Sequence, residues 1–143
     1  MIMMNSDFAL AVHSLVLLIY SPERMETSKS MAESMKVHPV RVRKILSLLR
    51  KNGYIESKEG AKGGFILKIS ADKISLKDIY RLTSKNTLKP KCHSCNCEIG
   101  ANIEDVLDVI FYKAEERVGE FLEEYTIQDI FNILKKRCKE NRS

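Results

Sequence analysis

PVRVRKILSLLRKNGYIESKEGAKGGFILKI, residues 39–69, changes pattern once, from the period of a helix to that of two short strands. In its first half Val42, Ile45, Leu46 and Leu49 recur at helical spacing and predict a buried stripe, with Arg41, Arg43, Lys44 and Ser47 on the opposite face. Pro39 suits the first helical position, where a missing N–H costs nothing; His38 precedes it as a cap, and Asn52-Gly53 closes the helix. In the second half Tyr54 to Lys58 and Phe65 to Ile69 read as strands around Glu59-Gly60-Ala61-Lys62-Gly63-Gly64. The glycines predict a tight hairpin, and Lys58, Lys62 and Lys68 make it positive. A nucleotide-binding loop is disfavoured, because the Gly-Lys-Ser/Thr ending and the strand-loop-helix setting are both missing.

Working outward toward the N-terminus, Phe8, Val12, Leu15, Val16 and Ile19 share one helical face, with Ser6 as a cap and Pro22 as a stop. Ser28 to Lys36 is a short helix with Met31, Ala32 and Met35 inward. Two short helices joined by a tight turn, the second basic on its outer side, form a helix-turn-helix pattern. A basic hairpin directly after them supplies a wing: the helix enters the major groove and the hairpin follows the backbone.

Toward the C-terminus, Ser75 and Asp78 form a capping-box pattern that starts a short helix ending at Leu82. Residues 83–100, with Pro90, Cys92, His93, Cys95 and Cys97, read as a loop. From Ile103 to Tyr125 apolar residues hold helical spacing over roughly 34 Å of helix. Thr126 and Asp129 cap a last helix that reaches a basic end at Lys135, Lys136 and Arg137. The expected class is mainly α with a small β-hairpin wing, a winged helix-turn-helix plus a long dimerisation helix. The expected division is a DNA-binding domain at 1–83, a cysteine-bearing sensor loop at 84–101, and a dimerisation helix with a C-terminal helix at 102–143.

At 143 residues the chain has room for one modest core, which argues against a large multidomain enzyme. Its net charge of +5 is unevenly placed. Residues 36–68 carry nine basic side chains against two acidic, and residues 98–129 carry ten acidic against two basic. The first segment attracts a polyanion and the second is repelled by one. Phe8 to Tyr20 is interrupted by His13 and Ser14 and is too short to span a membrane, so no membrane partner is expected. Met1 to Met4 lack the basic region and cleavage site of a secretory signal, which predicts a cytoplasmic protein.

On this reading Arg43 and Lys44 face base edges, while Ser28, Lys29, Arg41, Lys58 and Lys62 touch phosphate. Pro39, Val40 and Gly63 complete the surface offered to double-stranded promoter DNA. The stripe of Ile103, Leu107, Ile110, Ala114, Val118 and Phe121 needs a cover, and a second copy of the chain is the simplest one. His13 is expected in the core or at an interface. Three of the four cysteines lie between residues 92 and 97, so their chemistry is local rather than that of a disulfide framework. Cys92, Cys95, Cys97 and His93 can ligate zinc or an iron-sulphur cluster; equally, the thiols can form an oxidisable switch, with Cys138 as a partner, or an inert loop without a cofactor. A small zinc- or thiol-dependent redox enzyme is the alternative, but no acid, base or nucleophile surrounds the cysteines in sequence.

Four features in fixed order carry a family resemblance: Ala9 to Tyr20; Leu48-Leu49-Arg50-Lys51-Asn52-Gly53-Tyr54-Ile55; Gly60-Ala61-Lys62-Gly63-Gly64-Phe65; and a cysteine-bearing loop before a long helix. Together, over about residues 5–134, they resemble the Rrf2 family of bacterial winged-helix transcription regulators. The resemblance implies a homodimer that binds palindromic promoter DNA, usually as a repressor, in a family with iron-sulphur, nitric-oxide, cysteine and oxidant sensors. Cluster-binding members space their cysteines more widely than Cys92-His93-Ser94-Cys95-Asn96-Cys97 does, and Cys97 matches the last of them. Asp7 lies near where some members take a carboxylate ligand from the partner subunit.

Overall fold

Local signals set the helix ends. Thr27 accepts the amide of Ser30, and Ser30 returns a bond to the Thr27 amide, so α2 (Ser28–Met35) begins on a capping box. The same device at Ser75 and Asp78 starts α4 (Leu76–Thr83), and at Thr126 and Asp129 it starts α6 (Ile127–Glu140). Around these lie α1 (Ser6–Tyr20), α3 (Pro39–Lys51), β1 (Ile55–Lys58), β2 (Gly64–Leu67), a 3-10 turn at Ala71–Lys73, and α5 (Glu98–Leu122). The computed structural model describes residues 6–84 and 97–142. The mainly helical class with one antiparallel hairpin is as the sequence predicts. Among the described residues no helix is long and apolar enough to cross a membrane.

One core holds the N-terminal elements together. Leu15 and Leu18 of α1, Met31 of α2, Ile45, Leu46 and Leu49 of α3, and Ile55 of β1 are fully buried. Ile74 and Ile79 close it from the side of α4. His13 is exposed on α1, not in the core, because the inward positions around it are Leu10, Ala11, Ser14 and Leu15.

The two C-terminal helices behave differently from the expected division. Ile127 of α6 is fully buried in this same core. The Ile127 amide donates to the Ile74 carbonyl and the Leu76 amide to the Tyr125 carbonyl, both at 2.9 Å. So α6, expected with the long helix in a unit at 102–143, packs on α1 and the 3-10 turn of the DNA-binding unit. The long helix runs from Glu98 to Leu122 rather than from Ile103 to Tyr125. It starts early because Cys97 caps it, its sulphur accepting the Gly100 amide at 3.2 Å and its carbonyl the Ala101 amide at 2.9 Å. The expected sensor loop at 84–101 therefore ends at Cys97, and its residues 85–96 lie outside those described.

Among the described residues the C-terminal half of α5 packs against α4. Gly119, buried, lets the helix approach the Lys77 side chain of α4, and Lys77 pairs with Glu123 at 3.2 Å. Tyr80 donates to Glu115 at 3.4 Å. The opposite face carries Ile99, Ile103, Val106 and Ile110 at spacings of four, three and four, and all four are exposed.

Candidate nucleic-acid interface

The turn between α2 and α3 is built by three residues. Lys36 takes the left-handed conformation, φ 55°, that ends α2, and the Val37 amide returns to the Ala32 carbonyl at 3.1 Å. His38 then caps α3 with Nδ1 accepting the Val40 amide at 3.2 Å, and Pro39 follows inside the first turn, as expected. With the cap set, Val42, Ile45, Leu46 and Leu49 face the core, and Pro39, Val40, Arg43 and Lys44 stand in solvent. Val40 is 57% exposed and Leu48 half-buried, while the other apolar residues of α3 are buried.

Arg41 differs from its neighbours. It is half-buried, bonded to the Ser6 hydroxyl and paired with the Asp7 carboxylate at 3.3 Å. The pair ties the start of α1 to the start of α3, so Asp7 here holds a guanidinium, and Arg41 reaches a phosphate only by sharing or leaving that partner. Of the phosphate candidates on α2, Lys29 is exposed and Ser28 half-buried.

The wing is held more firmly than a two-stranded hairpin alone. Ile55 pairs with Leu67, Glu56 with Ile66, Ser57 with Phe65 and Lys58 with Gly64. Glu26 then adds a third edge, exchanging backbone bonds with Phe65 at 3.2 and 2.8 Å. A side chain at Gly64 would meet the Glu26 carbonyl oxygen at 2.9 Å, so glycine is required where the extra edge passes. At the tip, Gly60 has φ +112° and a Cβ on Gly63 would sit 2.4 Å from the Lys58 carbonyl oxygen. Lys58 and Lys62 are exposed and Gly63 is half-buried. Glu26, absent from the expected site, was not legible because a single bridging residue has no strand period. Tyr54, between α3 and the wing, has its phenol pushed above the ordinary range, by burial first and by the Asp78 carboxylate second.

Of the cysteines, Cys97 and Cys138 are exposed, at the start of α5 and on α6, and they are not bonded to each other. Cys92, His93 and Cys95 lie outside the described residues. Among the described residues no three His, Cys, Asp or Glu side chains converge on a metal site.

An exposed basic helix set by a helix-turn-helix and followed by a basic hairpin defines a winged helix-turn-helix, the class of DNA-binding transcription regulators. The chain belongs to the Rrf2 family, whose model, described as an iron-dependent transcriptional regulator, matches residues 4–133. It is similar to YwnA of Bacillus subtilis (strain 168), named as an HTH-type transcriptional regulator, with 32% identity over 92% of this chain and 99% of the relative. A transcriptional regulator from Lactobacillus plantarum superposes with a TM-score of 0.77 at 27% identity, covering 98% of this chain and all of the other. CymR, the global cysteine regulator of B. subtilis, shares the fold with a TM-score of 0.66 at 21% identity over 93% of this chain and 98% of its own. These matches are described as regulators rather than enzymes, and the protein is a transcriptional regulator of the Rrf2 family with DNA as its partner. The family description names iron; of the candidate ligands, Cys97 and Asp7 are among the described residues, at the starts of α5 and α1, and Cys92, His93 and Cys95 are not.

Proposed function

We propose that the protein is a homodimeric repressor that reads a palindromic operator and whose affinity is set by the cysteine segment. The observation that carries this reading is the pair of uncovered surfaces: a basic α3 and wing, and an apolar row on α5. Arg43 and Lys44 reach base edges, and Pro39 and Val40 offer apolar contact of the kind a thymine methyl accepts. Ser28, Lys29, Arg41, Lys58, Lys62 and the Gly63 backbone contact phosphate. Ile103, Ile110 and Phe121, exposed, with the half-buried Leu107, Ala114 and Val118, meet their counterparts across a two-fold axis. Val106, also exposed, belongs to the same stripe, and Ile99 extends it before the expected start at Ile103. The axis sets two recognition helices about 34 Å apart, one turn of DNA.

Cys97 caps the helix that joins the two subunits, so a bond formed at its sulphur breaks the cap and alters the start of α5. Oxidation, or loss of a metal held by Cys92, Cys95, Cys97 and His93, then shifts the dimer between two forms, and about 1.4 kcal/mol in that balance changes operator affinity tenfold. Cys138 is the disulfide partner to test. The deciding experiment is a gel shift with genomic fragments, followed by titration of the selected operator over a range of salt. Each phosphate contact contributes about −0.9 to the log-log slope. Salt-insensitive binding, or a protein that stays monomeric at micromolar concentration in sedimentation, would defeat the reading.

A further inference from the structure

A cleft of about 580 Å³ opens beside the wing, bounded by the end of α1, the turn after it, the hairpin, the 3-10 turn and the first turn of α6. Its size is in the range of small-molecule sites, about 300–1,000 Å³. Met25 and Ile66, half-buried, supply apolar surface, with the buried Leu18 behind them, and Gln128 of α6 supplies an amide. Two cations, Arg24 and Lys58, line it against one carboxylate, Glu23. Among the described residues neither cation has an ion pair or a side-chain hydrogen bond. The strand register puts Lys58 on the same face of the hairpin as Ile66, since Glu56 opposes Ile66 and Lys58 lies two residues on.

Arg24 has φ 58°, a left-handed backbone that side-chain-bearing residues adopt at a cost. The turn is clamped there by the Arg24 amide on the Ser21 carbonyl at 2.9 Å and the Ser21 hydroxyl on the Met25 carbonyl at 2.8 Å. Glycine would hold this turn with less strain. The side chain held at this turn adds a guanidinium to the lining of the cleft.

We propose that this cleft binds a small organic acid bearing a short apolar chain. The carboxylate lies between Arg24 and Lys58, and the chain lies on Met25 and Ile66. The consequence for DNA rests on the function proposed above. Lys58, engaged by the acid, no longer neutralises a phosphate, and the wing is bridged to α6. Acid and operator then weaken each other by the same factor.

Thermal melting of the full chain without DNA tests the site by itself, with acetate, 4-methylpentanoate, 4-methylpentanamide and inorganic phosphate as probes at millimolar concentration. The expected result is a rise of several degrees with 4-methylpentanoate, a smaller rise with acetate, and none with the neutral amide. Arg24→Gln, at an exposed position, should fold and lose the rise. No rise with either acid, an equal rise with inorganic phosphate, or a rise that survives Arg24→Gln overturns the proposal. In the DNA arm, 4-methylpentanoate should lower operator affinity several-fold and reduce the salt slope by about 0.9 per subunit. Acid binding with unchanged operator affinity overturns the coupling. Acid binding by a protein that selects no DNA fragment refutes the function proposed above and leaves the site standing.

Discussion

Arg43 and Arg41 lie two residues apart on one helix, yet the fold treats them differently. Arg43 is exposed on the outer face of α3, whereas Arg41 is held by Asp7 and Ser6. Arg43→Ala should cost about 1–3 kcal/mol of discrimination between operator and mutant sites, while Lys62→Ala at the wing tip should weaken all sequences alike. Competition titrations against nonspecific DNA separate the two effects. The side chains of the Asp7–Arg41 pair are 48% and 42% exposed, so the pair itself contributes less than about 1 kcal/mol to stability. Asp7→Ala should therefore leave the melting temperature nearly unchanged. It should tighten DNA binding, because it removes a negative charge and releases a guanidinium to phosphate; weaker binding in a fluorescence titration would contradict this. That Arg43 faces outward could be read from helical spacing. The fate of Arg41 could not, because its partner lies 34 residues away.

At the scale of elements, α5 and its cap carry the regulatory argument. Ile110 is 54% exposed on the face turned away from α4, so Ile110→Asp should leave the protomer folded and shift sedimentation to the monomer. The monomer loses the avidity of paired half-sites and binds an operator poorly. Serine is a better N-cap than cysteine, its hydroxyl being the stronger acceptor for the Gly100 amide. Cys97→Ser should hence keep α5 intact and bind DNA normally under reducing conditions, while the response to oxidant is blunted. A mutant that still responds to oxidant in full would move the sensing role away from Cys97. The capping boxes at Ser75 and Thr126 and the His38 cap were legible as short-range patterns; the Cys97 cap was hidden because a thiol is an uncommon cap and the apolar period starts later.

For the whole molecule, α6 makes the DNA-binding unit dependent on the chain beyond the long helix. Ile127 is fully buried among residues of the 3-10 turn and α1, and Ile127→Ala should cost about 2–5 kcal/mol in denaturant unfolding. A change below about 1 kcal/mol would mean that α6 is peripheral to the core. The long helix packs on α4 through its C-terminal half, and its apolar row from Ile99 to Ile110, exposed among the described residues, is the surface proposed to meet a second copy of the chain.

What this amino-acid sequence determined by itself is whatever a few neighbouring residues can encode: helical period, caps, the glycine hairpin and the separation of basic from acidic segments. Those features already led to a winged helix-turn-helix with a long apolar-striped helix. The tertiary structure alone decided that Glu26 extends the wing, that Asp7 restrains Arg41, that α6 enters the core and that Arg24 and Lys58 share a cleft. Each joins segments distant in the chain, and such pairings have no period in the sequence; they form where burying a common apolar surface brings the segments together.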